Sequence, residues 1–360
     1  MSTNAQLLSI LDTLIDPYLA LPLSQVVVAE ACSLSEADGA YKYKAVLTLP
    51  YVAQGRTEWF SEQLSEALDA KVEVELKSQI GSVRKATGEG LGQVANIVAI
   101  SSGKGGVGKS TTTVNLALAM AAEGARVGIM DADIYGPSQG MMLGVAANTR
   151  PENQGDNAML PVEALGVKSM SIAYLIDDNT PMVWRGPMAS GALQQLFNQT
   201  LWGELDYLFV DMPPGTGDIQ LTLSQKVPVA GAVVVTTPQD IALLDAKKGI
   251  EMFRKVDIPV LGVIENMSTH ICSQCGHEEH IFGAGGGEVI AENYQTELLG
   301  SLPLTLEIRL STDEGKPTVV ADPTGKVAQN YREIARKLSA GLSELVEEQS
   351  SAPVIQIFED

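Results

Sequence analysis

Apolar residues in this chain follow two regimes. Up to about residue 85 they recur at mixed short periods; from Asn96 onward short continuous apolar runs alternate with amphipathic stretches. In the first part, Leu7, Leu8, Leu11, Leu14 and Ile15 keep helical spacing, and Asp16-Pro17 is expected to end that helix. Val26-Val27-Val28 and Tyr41–Leu49 read as strands, with Gly39 in the turn between them. Glu58–Leu68 is amphipathic at the helical period, and Lys71–Leu76 alternates as an edge strand does. The order α-β-β-α-β predicts a small α+β domain over residues 1–85. Arg84 to Gln93 holds three glycines, mixed charge and no periodic apolar set, so the boundary falls there, with the linker at 86–95. A hinge at this place would let the first domain swing against the second.

The second regime, residues 96–347, predicts strands at Ile97–Ile100, Arg126–Met130, Tyr207–Val210, Ala232–Thr236, Val260–Ile264 and Leu298–Leu302. Helices are expected between them, among them Met188–Asn198, Asp240–Lys255 and Gly325–Glu347. Continuous apolar strands alternating with helices imply an α/β fold: a mostly parallel, doubly wound sheet covered on both faces. Ligands of such sheets bind at the carboxyl ends of the strands. No internal repeat is visible. Residues 348–360 form a short tail ending in acid, without the basic amphipathic helix of membrane-docking proteins.

Chemistry enters first at residues 97–111, IVAISSGKGGVGKST. An apolar run, a glycine-rich turn and good helix formers predict strand, loop and helix. The spacing from Gly103 to Gly108-Lys109-Ser110 fits the phosphate-binding pattern G-x-x-x-x-G-K-S/T of the P-loop NTPases. Gly103, Gly105, Gly106 and Gly108, with Val107 and Thr111 between and after them, let backbone N–H groups close on phosphate oxygens, and the helix N-terminus favours the same anion. Lys109 is expected at the β/γ-phosphates and Ser110 at Mg²⁺. Asp211 follows Tyr207–Val210 directly, and a carboxylate at a buried strand end beside the loop suits holding Mg²⁺ or its waters.

Charge and length narrow the partners. The 360 residues predict about two domains, and the formal net charge of −20 repels nucleic acid and anionic membrane surfaces. No apolar stretch approaches the ~18 residues of a spanning helix. The N-terminus has no basic segment ahead of an apolar one, so it is not expected to be a signal peptide. Three cysteines in a chain of this length argue against a disulfide framework and for a reducing cytoplasm.

A second lysine inside the loop, Lys104 of KGGVGKST, resembles the deviant Walker A ATPases: the nitrogenase iron protein, the Min and Par partition ATPases and the Mrp/ApbC iron–sulfur carriers. In that family the extra lysine faces the phosphates of a partner subunit, which implies a catalytic role for Lys104 in a nucleotide-bridged homodimer. The stretch Trp202 to Asp218, WGELDYLFVDMPPGTGD, is similar to the Mrp-type signature, whose Pro-Pro-Gly-Thr-Gly-Asp run partition ATPases lack. The resemblance implies that Asp133 orients the attacking water, that Asp131 lies nearer the Mg²⁺ shell, and that Asn266 meets the adenine edge of ATP. Trp184-Arg185-Gly186-Pro187 is also family-like. Residues 1–85 resemble the MIP18-type module found ahead of many Mrp carriers, except that Thr48-Leu49-Pro50 leads into Tyr51-Val52-Ala53 where that module has a cysteine. Cys32 reads as a small core residue.

Residues 270–280, HICSQCGHEEH, hold all three histidines and two of the three cysteines. Cys272 and Cys275 have the spacing that brings two thiolates to one metal. A redox pair, a local zinc site of Cys272, Cys275, His277 and His280, a loop with spare thiols, and an iron–sulfur cluster shared between chains all remain open. Counting favours the last: a 4Fe–4S cluster takes four thiolates, this loop supplies two, and a two-fold axis supplies the rest. The Mrp resemblance implies the same arrangement. It further implies slow ATP hydrolysis coupled to loading from an upstream assembly scaffold and to transfer to apo-proteins. The rival is an ATP-timed positioning switch of the partition type with a structural metal only.

Overall fold

The computed structural model describes residues 3–37, 39–88, 90–155, 158–176 and 186–351. Trp184 and Arg185 and residues 352–360 of the acidic tail lie outside them.

The first helix, α1 (Thr3–Leu11), stops short of Asp16-Pro17. Asp16 is buried and already committed: its Oδ1 accepts the N–H groups of Tyr18 and Leu19 at 2.9 and 2.8 Å, and its Oδ2 accepts the Tyr51 hydroxyl. That turn takes Ile15 out of the helix, bridges it to Pro22 and leaves it 55% exposed. Val26-Val27-Val28 forms no strand. Leu23–Val26 makes one helical turn that buries Leu23 and Val26. Burial of these side chains outweighs the strand preference of a valine run. The strand lies further on, β1 (Ser33–Glu36), paired antiparallel with β2 (Tyr43–Leu49) in the register Ser33↔Val46. Next come α2 (Thr57–Leu68) and β3 (Val72–Ser78), which lies parallel to β2 at the sheet edge. Leu7, Leu11, Leu47, Phe60 and Leu64 make the core of this unit, and Cys32 belongs to it. The Cys32 thiol accepts the Thr48 N–H at 3.3 Å, and burial raises its pKa.

Among the described residues the second sheet has eight strands: β4 (Val94–Ser101), β5 (Val127–Asp131), β6 (Val162–Ala164), β7 (Val167–Ser171), β8 (Leu205–Asp211), β9 (Val229–Thr236), β10 (Val260–Glu265) and, at the far edge, Leu298–Ser301. Every neighbouring pair is parallel except β6 with β7. That antiparallel edge is absent from the apolar pattern, because Val162–Ala164 and Val167–Ser171 are short and interrupted by charge. Helix α3 (Lys109–Ala122) covers one face, and Gly186–Gln199 and Asp240–Lys255 cover the other. Along β4, Ile97 and Ala99 face the second layer while Val98 and Ile100 face the first, so one strand feeds two cores.

The long helix Lys326–Ser351 lies beside α3 and against the Val260–Glu265 and Leu298–Ser301 edge of the eight-stranded sheet. Its Ala340 sits in the core of the first unit. Its Ser339 Oγ accepts the Val52 N–H at 3.0 Å and lies 2.7 Å from the Tyr207 hydroxyl. Glu123, just beyond α3, is wholly buried. It accepts Arg332 Nε and Arg336 Nη1, each at 2.6 Å, and the Gly55 N–H at 2.7 Å. The hinge expected near residues 84–93 is therefore bridged by a buried, hydrogen-bonded joint. Among the described residues no helix is long and apolar enough to cross a membrane.

Candidate functional site: a phosphate loop and an exposed cysteine pair

Strand β4 ends at Ser101 and α3 begins at Lys109, so the loop between them sits at the carboxyl end of the sheet. Gly106 and Gly108 hold φ of 82° and 84°, a left-handed backbone that side chains disfavour. A Cβ on Gly108 would come 2.1 Å from Asn266 Nδ2, and one on Gly103 would come 2.2 Å from the Asp245 carbonyl. Around Gly105 and Gly106 a Cβ would meet nothing within 4 Å, so the loop is pressed to the body on one side and open on the other. The N–H groups of Gly108, Lys109, Ser110 and Thr111 are the orphan donors of α3; among the described hydrogen bonds none has a protein acceptor. Four free donors at the positive end of a 14-residue helix fit a phosphate group.

The acidic side of the site follows from register. Asp211 ends β8 beside Ile100 of β4 and Asp131 of β5. Lys109 Nζ lies 2.5 Å from Asp211 Oδ1, 3.2 Å from Ser110 Oγ and 3.8 Å from Asp133 Oδ2. Thr113 Oγ1 also donates to Asp211 Oδ1, at 3.2 Å. Asp131 is buried and accepts the N–H groups of Asp133, Ser138 and Gln139 at 3.2, 2.9 and 3.0 Å, and the Ser171 hydroxyl at 3.2 Å. Its carboxylate thereby anchors the 131–139 loop. Burial first, and the charge of Asp211 second, push its pKa up to about 7. Asp133 is half-buried, faces Lys109, and is raised by burial as well. Hydroxyl and carboxylate oxygens are the donor set of a hard cation, so Ser110 and Asp211 fit Mg²⁺.

Two expected ligand residues are placed differently from one another. Asn266 is buried, and its Nδ2 donates to the Val107 carbonyl at 2.9 Å, so it braces the phosphate loop. Lys104 stays at the open rim, its Nζ 3.4 Å from Gln239 Oε1. Thr111 lies in the first turn of α3, where its carbonyl accepts Asn115 Nδ2 at 3.0 Å.

Cys272 and Cys275 stand on a small antiparallel hairpin, His270–Ile271 against Glu278–Glu279. The Cys272 carbonyl accepts the Gly276 N–H at 2.8 Å and the Cys272 N–H reaches the His277 carbonyl at 3.0 Å, with Gly276 at φ 69° closing the turn. Cys275 is exposed and Cys272 partly so. The N–H groups of Gln274 and Cys275, then the Cys275 side chain, lower the Cys272 pKa. Glu278–Glu279 is strand, so no helix N-terminus assists a redox pair. His280 Nδ1 donates to the Ser268 carbonyl at 2.7 Å. Among the described residues no three His, Cys, Asp or Glu side chains converge to hold a metal, so the local zinc set is not assembled.

A family model of the ParA group, described as NUBPL iron-transfer P-loop NTPase, matches residues 93–339. The chain belongs to this family. The iron-sulfur cluster carrier protein of Pseudomonas fragi is 67% identical to it over 253 residues, 70% of this chain and 88% of that one. The iron-sulfur cluster carrier protein of Escherichia coli strain K12 is 55% identical over 302 residues, 82% of each. Among solved structures, the nucleotide-binding protein of Archaeoglobus fulgidus in complex with ADP superposes with a TM-score of 0.58 at 35% identity, over 66% of this chain and 93% of that one. The α/β sheet expected from the apolar pattern, with the loop expected from the glycine spacing, is thus a P-loop NTPase fold.

Sequence reasoning overlooked two residues of the NTPase site. Gln139 and Gln220 are each 1% exposed. Gln220 Nε2 donates to Ser101 Oγ at 3.2 Å and to the Pro213 carbonyl, tying β4 to the loop after Asp211. Gln139 Nε2 donates to Asp211 Oδ2 at 2.8 Å and to the Ser110 carbonyl at 3.1 Å. Neither lies in a motif with a phosphate-binding spacing; only an uncharged amide following Gly136-Pro137-Ser138 marked the first.

Proposed function

We propose that this chain is a cytoplasmic, ATP-hydrolysing iron–sulfur cluster carrier that holds its cargo as a homodimer and passes it to apo-proteins. The single observation that carries this reading is the hairpin: two thiols on an exposed turn, with no further ligand gathered around them. Two thiolates are half of what a 4Fe–4S cluster takes, so a second copy completes the set. The names of the relatives support cluster carriage. An upstream assembly scaffold is the implied donor.

The nucleotide half of the reading rests on the loop. Gly103 to Thr111 would surround the phosphates, Lys109 would turn to the β/γ-phosphates, and Lys104, at the open rim, would meet the nucleotide of the partner subunit. Mg²⁺, held through Ser110 and Asp211, would bridge phosphate oxygens and offset their charge. Asp133, close to Lys109 and half-buried, would orient the attacking water; Asp131, nearer the Mg²⁺ shell, would also fix the loop through the N–H groups it accepts. Asn266 would set the loop at the adenine side. ATP between subunits biases their orientation, and the orientation sets how the four cysteines meet.

The same reading divides the chain into a MIP18-like module at 1–85, a linker at 86–95, the ATPase at 96–347 and an acidic tail. The core around Leu47 and Phe60, which takes only Ala340 from beyond residue 85, and the α-β-β-α-β order support the first boundary.

Anaerobic reconstitution tests the proposal. The loaded protein should elute as a dimer with one cluster per two chains and should activate an apo-acceptor. Cys272→Ala with Cys275→Ala should abolish both; transfer at the wild-type rate by that variant, or a monomeric loaded form, would sink it.

A further inference from the structure

Gln139 carries an unexplained atom. Its side chain is buried at 1% exposure, and its Oε1 has no hydrogen-bond partner. The orientation of the amide is set by its neighbours. Nε2 lies 2.8 Å from Asp211 Oδ2 and 3.1 Å from the Ser110 carbonyl, both of which only accept, so the nitrogen must be the atom that faces them. Turning the amide over would set oxygen against oxygen twice. The orphan carbonyl is therefore forced, and a buried acceptor left unpaired is costly unless something donates to it.

The surroundings say what would donate. Gln139 touches the residue on each side of the proposed cation: Ser110 through its carbonyl and Asp211 through its carboxylate. Its own N–H is held by Asp131 Oδ2 at 3.0 Å, which ties it to the 131–139 loop. Oxygen ligands around Mg²⁺ usually leave several positions to water, and a cation-bound water is a strong donor with no acceptor of its own. We propose that Gln139 is a positioning residue for the metal: Oε1 accepts from a water on the cation held by Ser110 and Asp211, while Nε2 keeps Asp211 Oδ2 aimed. Asp211 Oδ1 already has Lys109 and Thr113. The amide thus holds one oxygen of the carboxylate whichever partner the other takes. Its backbone anchor makes the position of the 131–139 loop depend on the cation. This inference rests on the nucleotide and metal reading above.

The test is calorimetry of ADP binding to the full chain without cluster, in Mg²⁺ and in excess chelator; the ratio of the two affinities is the magnesium gain. Gln139→Leu removes donor and acceptor. Measured against its own affinity in chelator, it should lose about 10- to 100-fold of the magnesium gain, the usual effect of removing an outer-sphere partner. Gln139→Met keeps the length of the side chain and likewise removes both polar atoms, so its gain should fall by the same factor. A wild-type gain in Gln139→Leu would overturn the assignment. Should that variant fail to fold, a wild-type gain in Gln139→Met would overturn it equally. If the wild type shows no magnesium gain, the metal reading itself fails and takes the role of Gln139 with it; if only the variants depart from expectation, Gln139 alone is misassigned.

Discussion

Lys109 Nζ stands 2.5 Å from Asp211 Oδ1, and both side chains are buried, at 6% and 0% exposure. The lysine proposed for the phosphates and the carboxylate proposed for the metal are thus each other's counterion. Breaking a buried pair strands the remaining charge, at about 3–5 kcal/mol. Lys109→Met should lower the free energy of unfolding by roughly that amount, as well as abolish hydrolysis. Adding Asp211→Asn in that background should restore part of the stability and none of the activity. Urea titrations of the single and double variants check this; a double variant less stable than Lys109→Met refutes it.

Asp131 makes stability depend on pH. Its folded pKa, about 7, lies above its ordinary 3.8, because burial and the charge of Asp211 outweigh the N–H groups of Gln139 and Ser138 and the charge of Lys109. The folded state therefore holds a proton that the unfolded state has released between these two values. The contribution of this group is full at the acid end and declines as pH rises from about 4 to about 7, then levels. Asp131→Asn should flatten that part of the stability profile. An unchanged slope in the variant would show that another group titrates there.

Glu123 ties the end of the phosphate-loop helix to Arg336, Arg332 and the Gly55 N–H. Glu123→Ala should destabilise the chain by about 1–3 kcal/mol, since buried Arg336 loses its Nη1 partner and keeps only Glu333, at Nη2. The first module should also loosen. Limited proteolysis should then cut faster within residues 84–93 in the variant than in the wild type, at matched fractions folded. Equal cutting rates would show that the apolar contacts around Ala340 hold the module without Glu123.

Asn266 donates to the Val107 carbonyl and so supports the loop. Asn266→Ala should weaken ADP and GDP binding by the same factor, measured by calorimetry. A loss confined to ADP would assign the residue to the adenine edge.

Some of this molecule was legible in the chain alone. The phosphate loop is a local object: the positions of Gly106 and Gly108 dictate a left-handed backbone, and Lys109-Ser110 must open a helix whatever lies beyond. Strand ends at Asp131 and Asp211 were legible because continuous apolar runs stop at a charge. The pairing of Cys272 with Cys275 was legible because a three-residue offset closes a turn. Other features needed the tertiary structure. Val26 closes a helical turn begun at Leu23 instead of opening a strand, because the core takes both side chains. The strand at Val162–Ala164 exists only because β7 offers it an edge. The joint at Glu123 and the amide of Gln139 join residues 213 and 72 positions apart. No local period encodes such distances: a backbone motif is specified by its own neighbours, whereas a buried polar partner is specified only once the chain has folded and excluded water from both.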